Sequence, residues 1–148
     1  MKRLMIVATA ATLVLGSSLM AQETLRILTW KGYAPQALVD KFEKQTGIKV
    51  ELTFSNNEEM IAKLRATRGG GFDLAQPSQD RISSVQAKYN IYQPIDYSKI
   101  DTKEFIPSML NAVKKNTKVK GKSYAVPFCY GTSGLIVNKK LAPDAKDY

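Results

Sequence analysis

A strand–helix–strand pattern near the start of the chain constrains its fold more than any other feature. Apolar residues at 25–30 predict a first strand, and Leu38 and Phe42 predict the apolar side of a helix that Gly47 ends. Apolar and polar residues then alternate over 48–54, which is typical of a strand with one buried face. Together they predict one βαβ unit.

The same alternation continues along the chain. Ser55 and Asn56 are each followed three residues later by a glutamate, which predicts a capped helix N-terminus. The glycines at 69–71 end that helix, residues 72–76 predict a third strand, and Ser78 can begin a third helix. Strands that alternate with helices predict an α/β fold with a parallel sheet covered on both faces.

Later segments carry weaker patterns. Residues 92–95 predict a short edge strand and residues 104–113 a short helix. Two further strands are predicted at 124–128 and 135–137.

The first residues resemble an export signal. Lys2 and Arg3 precede an apolar run at 4–15, and Ala21 provides a small residue before the expected cut. That run is too short to span a bilayer, which needs about 20 residues. We therefore expect residues 1–21 to be a cleaved signal peptide and the mature chain to be exported.

Composition excludes several kinds of site. The chain has no His and one Cys, Cys129, which excludes His/Cys zinc clusters, a His-based triad and an intrachain disulfide. We expect Cys129 to be a small buried hydrophobe. No nucleophile is paired with a base, so no enzyme is predicted, and neither a cofactor nor a metal.

The positive charge raises the question of an anionic partner. The net charge is +9, or +7 once Lys2 and Arg3 are removed with the signal. Much of the excess lies in the lysine run at 114–122, near which only Tyr124 is aromatic. Nucleic-acid patches need interleaved aromatic residues, so we expect a solvated loop here and no nucleic-acid partner.

Two turns carry the candidate binding residues. Trp30 and Tyr33 follow the first predicted strand, and Ser78 and Asp80 follow the third. Ligands of α/β sheets bind outside the carboxyl ends of the strands, so we expect both turns to face one crevice. An indole attracts a cation and a carboxylate pairs with it, so the sequence predicts a site for an ammonium-bearing ligand.

Each of these side chains also has a structural interpretation. Trp30 can be core at a strand end, and Tyr33 can pack against the first helix. Ser78 can serve only as a helix cap, and Asp80 only as a carboxylate at the positive end of a helix. Tyr130 can be packing near a hinge.

The chain resembles the periplasmic spermidine/putrescine-binding proteins of ABC importers from about Leu25 to Asn138. The resemblance depends on the order of several short motifs: Trp30-x-x-Tyr33, Glu43-Lys44-Gln45-Thr46-Gly47-Ile48-Lys49-Val50, Ser55-Asn56-Asn57-Glu58, Phe72-Asp73-Leu74 before Pro77-Ser78, and Val126-Pro127-Phe128 before Gly131-Thr132.

The resemblance implies a periplasmic-binding-protein-like, type II fold with two hinged lobes. It implies a protein that captures a polyamine between the lobes and delivers it to a membrane permease, as a monomer at full length and without catalysis. It implies Trp30 and Tyr33 as aromatic walls and Ser78 as a polar contact, and we expect Asp80 and Tyr130 to complete the ligand site.

Three positions depart from the family pattern. Gly32, preceded by Lys31, stands where the family commonly has an acid. Asp80 stands where an aromatic residue is frequent, and Tyr130 stands near a family tryptophan. Asp80 is expected to replace the missing charge from the second turn.

Family members are considerably longer than this chain. The resemblance implies that residues 22–130 form part of lobe one and that residues 131–148 cross the hinge into lobe two. We expect most of lobe two to be missing, and the sequence leaves open a fragment, a frameshifted product and a short protein.

Two other functions remain open. One is a binding protein for a different small organic solute, which Gly32 favours. The other is a short, basic, secreted interaction protein that acts as it stands.

Overall fold

The computed structural model of the protein describes residues 23–131, 134 and 136–144. The predicted signal peptide lies outside these residues. The elements, in chain order, are β1 (Thr24–Thr29), α1 (Gln36–Thr46), β2 (Lys49–Phe54), α2 (Asn57–Ala66), β3 (Leu74–Ala75), α3 (Gln79–Tyr89), a 3₁₀ turn (Tyr97–Lys99), α4 (Pro107–Asn116), β4 (Lys118–Val119) and β5 (Lys122–Ser123). The predicted α/β class is therefore confirmed.

The first three strands form a parallel sheet in the order β2-β1-β3. Thr24 pairs with Lys49 across β1 and β2, and Ile27 pairs with Leu74 across β1 and β3. β3 is shorter than the strand predicted at 72–76, since only Leu74 and Ala75 pair in the ladder. All three strands run the same way, so their carboxyl ends share one edge of the sheet, which we call the carboxyl edge.

Helix α1 turns Phe42 inward as predicted, but not Leu38. It begins after Pro35 and ends before Gly47, as expected. However, Leu38 is 63% exposed, whereas its neighbour Val39 is buried and packs inward together with the partly buried Phe42. One residue along a helix rotates the side chain by about 100°, and Val39 and Phe42 fit the inward face better than Leu38 does.

The core lies between the sheet and α2. Its buried members are Leu28 from β1 and Met60 and Leu64 from α2. Several partly buried residues pack against them: Trp30, Phe72, Ala75, Ile91 and Tyr92. Trp30 therefore belongs in part to the core and in part to the surface.

Coverage of the sheet is less complete than predicted. Phe54 at the end of β2 is 50% exposed and Leu74 in β3 is 53% exposed. α3 packs against α4, and both helices have buried apolar residues, which are Ile82, Val85, Leu110 and Val113.

The predictions for the later part of the chain were mostly wrong about strands. Residues 92–95, 124–128 and 136–137 form no strand, and Leu135 lies outside the described residues. The lysine run is not a loop: it includes the end of α4 and an antiparallel hairpin of β4 and β5. Lys120 and Gly121, both with positive φ, form its two-residue turn.

Two further observations concern the described part of the chain. Cys129 is exposed, which corrects the expectation of a buried thiol. No helix within the described ranges is long and apolar enough to cross a membrane.

Candidate functional site

The turn after β1 presents two aromatic rings at the carboxyl edge. The backbone N–H of Tyr33 donates to the carbonyl of Trp30 at 3.1 Å, which closes the turn. Gly32 has a φ of +88°, a conformation that a side chain would strain. The turn brings the rings of Trp30 and Tyr33 to a centroid distance of 6.4 Å.

A third ring extends this pair. The ring centroids of Phe128 and Tyr33 are 6.0 Å apart, and the two ring planes are again tilted by 38°. Tyr33 is 45% exposed and Phe128 is 63% exposed, so both residues remain accessible to solvent. We call Trp30, Tyr33 and Phe128 the aromatic row.

A hydrogen bond joins the aromatic turn to the second predicted turn. The indole N–H of Trp30 donates to the carbonyl of Gln76 at 2.9 Å. The Gln76 side chain also accepts a hydrogen bond from the hydroxyl of Thr29. The backbone N–H of Gln76 donates to the carbonyl of Leu28 at 2.9 Å. Gln76 precedes Pro77, so the turn that begins there starts beside Trp30.

Ser78 occupies the N-cap position of α3, but its hydroxyl does not cap the helix. The side-chain amide of Asn57 holds it instead: the Asn57 N–H donates to Ser78 Oγ, and the Ser78 backbone N–H donates to Asn57 Oδ1, both at 2.8 Å. This pair of bonds joins the first residue of α2 to the start of α3. The N-termini of both helices therefore lie at the carboxyl edge.

Asp80 already has a cationic neighbour. The Arg81 guanidinium lies 3.5 Å from Asp80 and 3.1 Å from Glu58, so it bridges the first turns of α3 and α2. The side chains of all three residues are 47–74% exposed. Exposed pairs of this kind contribute about 0–1 kcal/mol, which leaves Asp80 available to an incoming cation.

Another carboxylate at the start of α2 is held by local hydrogen bonds. The Ser55 hydroxyl donates to Glu59 at 2.8 Å and is the main reason that the pKa of Glu59 is lowered. The Glu59 backbone N–H donates to Asn56, the N-cap of α2. The predicted capping signature is therefore confirmed, and it keeps a negative charge at the positive end of the helix.

Tyr130 is the predicted site residue that the structure leaves apart. It is 70% exposed and is not a member of the aromatic row. Phe128, two residues earlier, makes the ring contact instead.

The carboxyl edge is an open wall. Two shallow concave surfaces on the described residues lie elsewhere, one against Arg65 and Tyr89 and the other between residues 94–97 and the β4–β5 hairpin. Neither contains Trp30 or Tyr33. Within the described ranges no group of His, Cys, Asp and Glu side chains could hold a metal ion.

The family follows from comparison with known proteins. A sequence model of the bacterial extracellular solute-binding proteins matches residues 29–147. The chain belongs to this family. The match includes the aromatic row and both turns of the carboxyl edge.

Curated relatives of this chain are named for polyamines. It is 37% identical over 122 residues to spermidine/putrescine-binding periplasmic protein 1 of Haemophilus influenzae, a match that covers 80% of this chain and 32% of that protein. It is 36% identical over 119 residues to the putrescine-binding periplasmic protein PotF of Escherichia coli, covering 79% and 31%. The chain thus spans about a third of the length of the curated relatives it matches.

Solved structures show the same fold. A Listeria monocytogenes protein named for spermidine/putrescine ABC transport matches with a TM-score of 0.65 at 35% identity, over 84% of this chain and 37% of that one. The TpPotD lipoprotein of Treponema pallidum matches with a TM-score of 0.61 at 34% identity, over 84% and 38%. The fold is that of the substrate-binding proteins of ABC transporters, and the relatives are transport proteins rather than enzymes.

Sequence reasoning missed four residues at this edge: Gln76, Asn57, Arg81 and Phe128. Arg81 carried a signal, since it directly follows Asp80 and a neighbouring cation competes for the same carboxylate. The position of Phe128 beside Tyr33 depends on tertiary packing, which no local pattern encodes.

Proposed function

We propose that this solute-binding chain is a component of an ABC importer and that it captures a polyamine or a related small cationic solute. The names of the relatives support the solute class. The proposal includes export by the signal peptide at residues 1–21, action in the periplasm and delivery of the solute to a permease in the inner membrane.

One observation carries the solute proposal. The hydrogen bond between the Trp30 indole and the Gln76 carbonyl puts an aromatic turn next to the turn that bears Asp80. Aromatic faces attract an ammonium group by roughly 0.5–2 kcal/mol, and their apolar surface suits the methylenes of a polyamine. A carboxylate at the next strand end supplies the opposite charge.

The proposed site residues are those predicted from the sequence: Trp30, Tyr33, Ser78, Asp80 and Tyr130. In this proposal residues 22–130 belong to one lobe, and residues 131–148 begin the crossing to a second lobe. The open carboxyl edge would then be one wall of the cleft.

Isothermal titration calorimetry of the purified chain tests the proposal. Putrescine and spermidine are the ligands, and 1,4-butanediol is the control, because it keeps the four-carbon chain of putrescine and lacks its charges. We expect saturable binding of at least one polyamine and none of the diol. Absence of binding by a chain shown to be folded by circular dichroism would contradict the solute proposal.

Two substitutions locate the site. Asp80→Asn removes the charge at nearly constant shape and should weaken polyamine binding by about two- to fivefold, as expected for an exposed ion pair. Trp30→Phe keeps a ring but removes the donor to Gln76, so it should weaken binding by loosening the link between the turns. Unchanged affinity in both variants would place the ligand elsewhere.

A second candidate is a different small organic solute with less positive charge. The pairing of Asp80 with Arg81, together with Lys31 at the aromatic turn, favours it. A thermal-shift screen of amino acids, their derivatives and quaternary ammonium compounds separates the two candidates. Stabilisation by a neutral or zwitterionic solute, without a response to polyamines, would support this second candidate.

A further inference from the structure

Within the described ranges, Phe128 is the aromatic residue after Asn90 whose ring packs against the ring of Tyr33. The ring centroids of Phe128 and Tyr33 are 6.0 Å apart, while Phe128 remains 63% exposed. The contact joins two segments that are far apart in the sequence. A ring held on one side and open on the other can still pack against a ligand.

The segment that carries Phe128 is fixed to the fold at its start. The Tyr97 hydroxyl donates to the carbonyl of Ala125 at 2.6 Å, and the Tyr124 backbone N–H donates to Thr117 at 3.4 Å. Thr117 is itself fully buried. These bonds hold the residues just before Phe128 and thereby fix the approach of its ring to Tyr33.

We infer that Phe128 is a third aromatic wall of the solute site and that it favours long polyamines over short ones. The inference rests on the proposed function and deepens it. The Tyr33 ring contacts both other rings of the aromatic row, with centroid distances of 6.4 Å to Trp30 and 6.0 Å to Phe128. A short diamine can lie against the first two rings, whereas a longer triamine can also reach the third.

The chemistry of the row agrees with this occupant. Each ring face attracts an ammonium group and each also covers apolar surface, so a chain of alternating amines and methylenes gains contacts ring by ring. Asp80 and Glu58 provide opposite charge at the same edge of the sheet, next to the turn that Trp30 contacts.

The test compares putrescine and spermidine binding by calorimetry in the full chain and in four variants. Phe128→Leu and Phe128→Met remove the ring at similar size, and Phe128→Tyr keeps it. Tyr89→Leu is the matched control, because Tyr89 ends α3 at the opposite edge of the sheet and stacks with Arg65 at 4.5 Å. Thermal melts show whether each variant is folded.

We expect the Leu and Met variants to bind spermidine about three- to tenfold more weakly, the loss of one ring contact, and to lose less than twofold for putrescine. The Tyr variant and Tyr89→Leu should keep both affinities. An equal loss for both ligands, or no loss, would overturn the inference while polyamine binding itself stands. Failure of the unsubstituted chain to bind either ligand would overturn the proposed function, and the inference with it.

Discussion

At the scale of single residues, Arg81 shows how one side chain can limit a site. Its guanidinium lies 3.1 Å from Glu58 and 3.5 Å from Asp80, where the ammonium of a bound polyamine would need to pair. The protein therefore carries its own competing cation beside the proposed binding carboxylate.

Replacing Arg81 by Gln should strengthen polyamine binding. The substitution frees Asp80 and Glu58, and the gain should be about two- to fivefold, the size of an exposed ion pair. Calorimetry at low salt measures it, and the gain should shrink as salt screens the charges.

Arg26→Gln is the control for the Arg81 variant. It also removes one positive charge from an exposed ion pair, the one between Arg26 and Glu51 at 3.5 Å. It should leave the affinity unchanged. An equal gain in both variants would mean that overall charge, and not the release of Asp80, governs binding.

Residue types and local patterns were enough to predict several members of the proposed site. Trp30, Tyr33 and Asp80 were recognisable because each follows a strand whose pattern is local. Phe128 and Asn57 were not, because their partners, Tyr33 and Ser78, come from other elements and meet them only in the folded chain.

At the scale of elements, the connection from α2 to β3 depends on a close approach of the backbone. The Gly69 N–H donates to Leu64 at 2.7 Å, and a Cβ at Gly69 would lie 2.9 Å from the Ile91 carbonyl. Gly71 has nearly the same φ, +83° against +82°, but a Cβ there would meet nothing within 4 Å.

Substitutions at these two glycines distinguish the cost of backbone strain from the cost of a steric contact. Gly71→Ala should lower the free energy of unfolding by about 1 kcal/mol, the cost of a left-handed conformation for a residue with a side chain. Gly69→Ala should cost about 1–3 kcal/mol more, because Ile91 must also move. Urea unfolding measures both values, and equal costs would show that the contact with Ile91 is relaxed easily.

Glu43 connects α1 to β2 and makes the fold sensitive to acid. The Val50 backbone N–H donates to it at 2.7 Å, and Lys49 lies 3.2 Å away. The Val50 hydrogen bond is the largest cause of a pKa below the ordinary 4.5. The ionised carboxylate therefore stabilises the fold above about pH 4.5, and this stabilisation is lost as the pH falls through the lowered pKa.

Glu43→Gln should consequently be less stable than the unsubstituted chain at pH 7, with the difference shrinking below about pH 4.5. Urea unfolding at several pH values measures the difference. Lys49→Gln keeps the Val50 hydrogen bond and should retain most of the pH dependence. A difference for Glu43→Gln that stays constant down to pH 3 would contradict the assignment.

The early elements were predictable and the later strands were not, for a physical reason. β1, α1 and β2 have local periodicity, and their order fixes the parallel pairing. An extended segment becomes a strand only when a neighbouring strand pairs with it. In the segment 124–128, the Tyr124 N–H and the Ala125 carbonyl form hydrogen bonds with side chains instead. The β4–β5 hairpin was missed because its strands are only two residues long, although Lys120-Gly121 is a reasonable turn.

At the scale of the whole molecule, the sheet order explains why the candidate residues meet. β1 lies in the centre, between β2 and β3, so the turns that follow its neighbours both adjoin the turn that carries Trp30. The match covers about a third of each relative, and in the proposal the rest of such a protein supplies the opposite wall.

The most direct test of this account is a fluorescence titration, because Trp30 is the only tryptophan of the chain. If the carboxyl edge binds a polyamine, spermidine should change the Trp30 emission saturably, with a midpoint that equals the calorimetric dissociation constant and shifts in Asp80→Asn. Calorimetric binding of spermidine without any change in Trp30 emission would place the ligand away from the aromatic row and contradict the account.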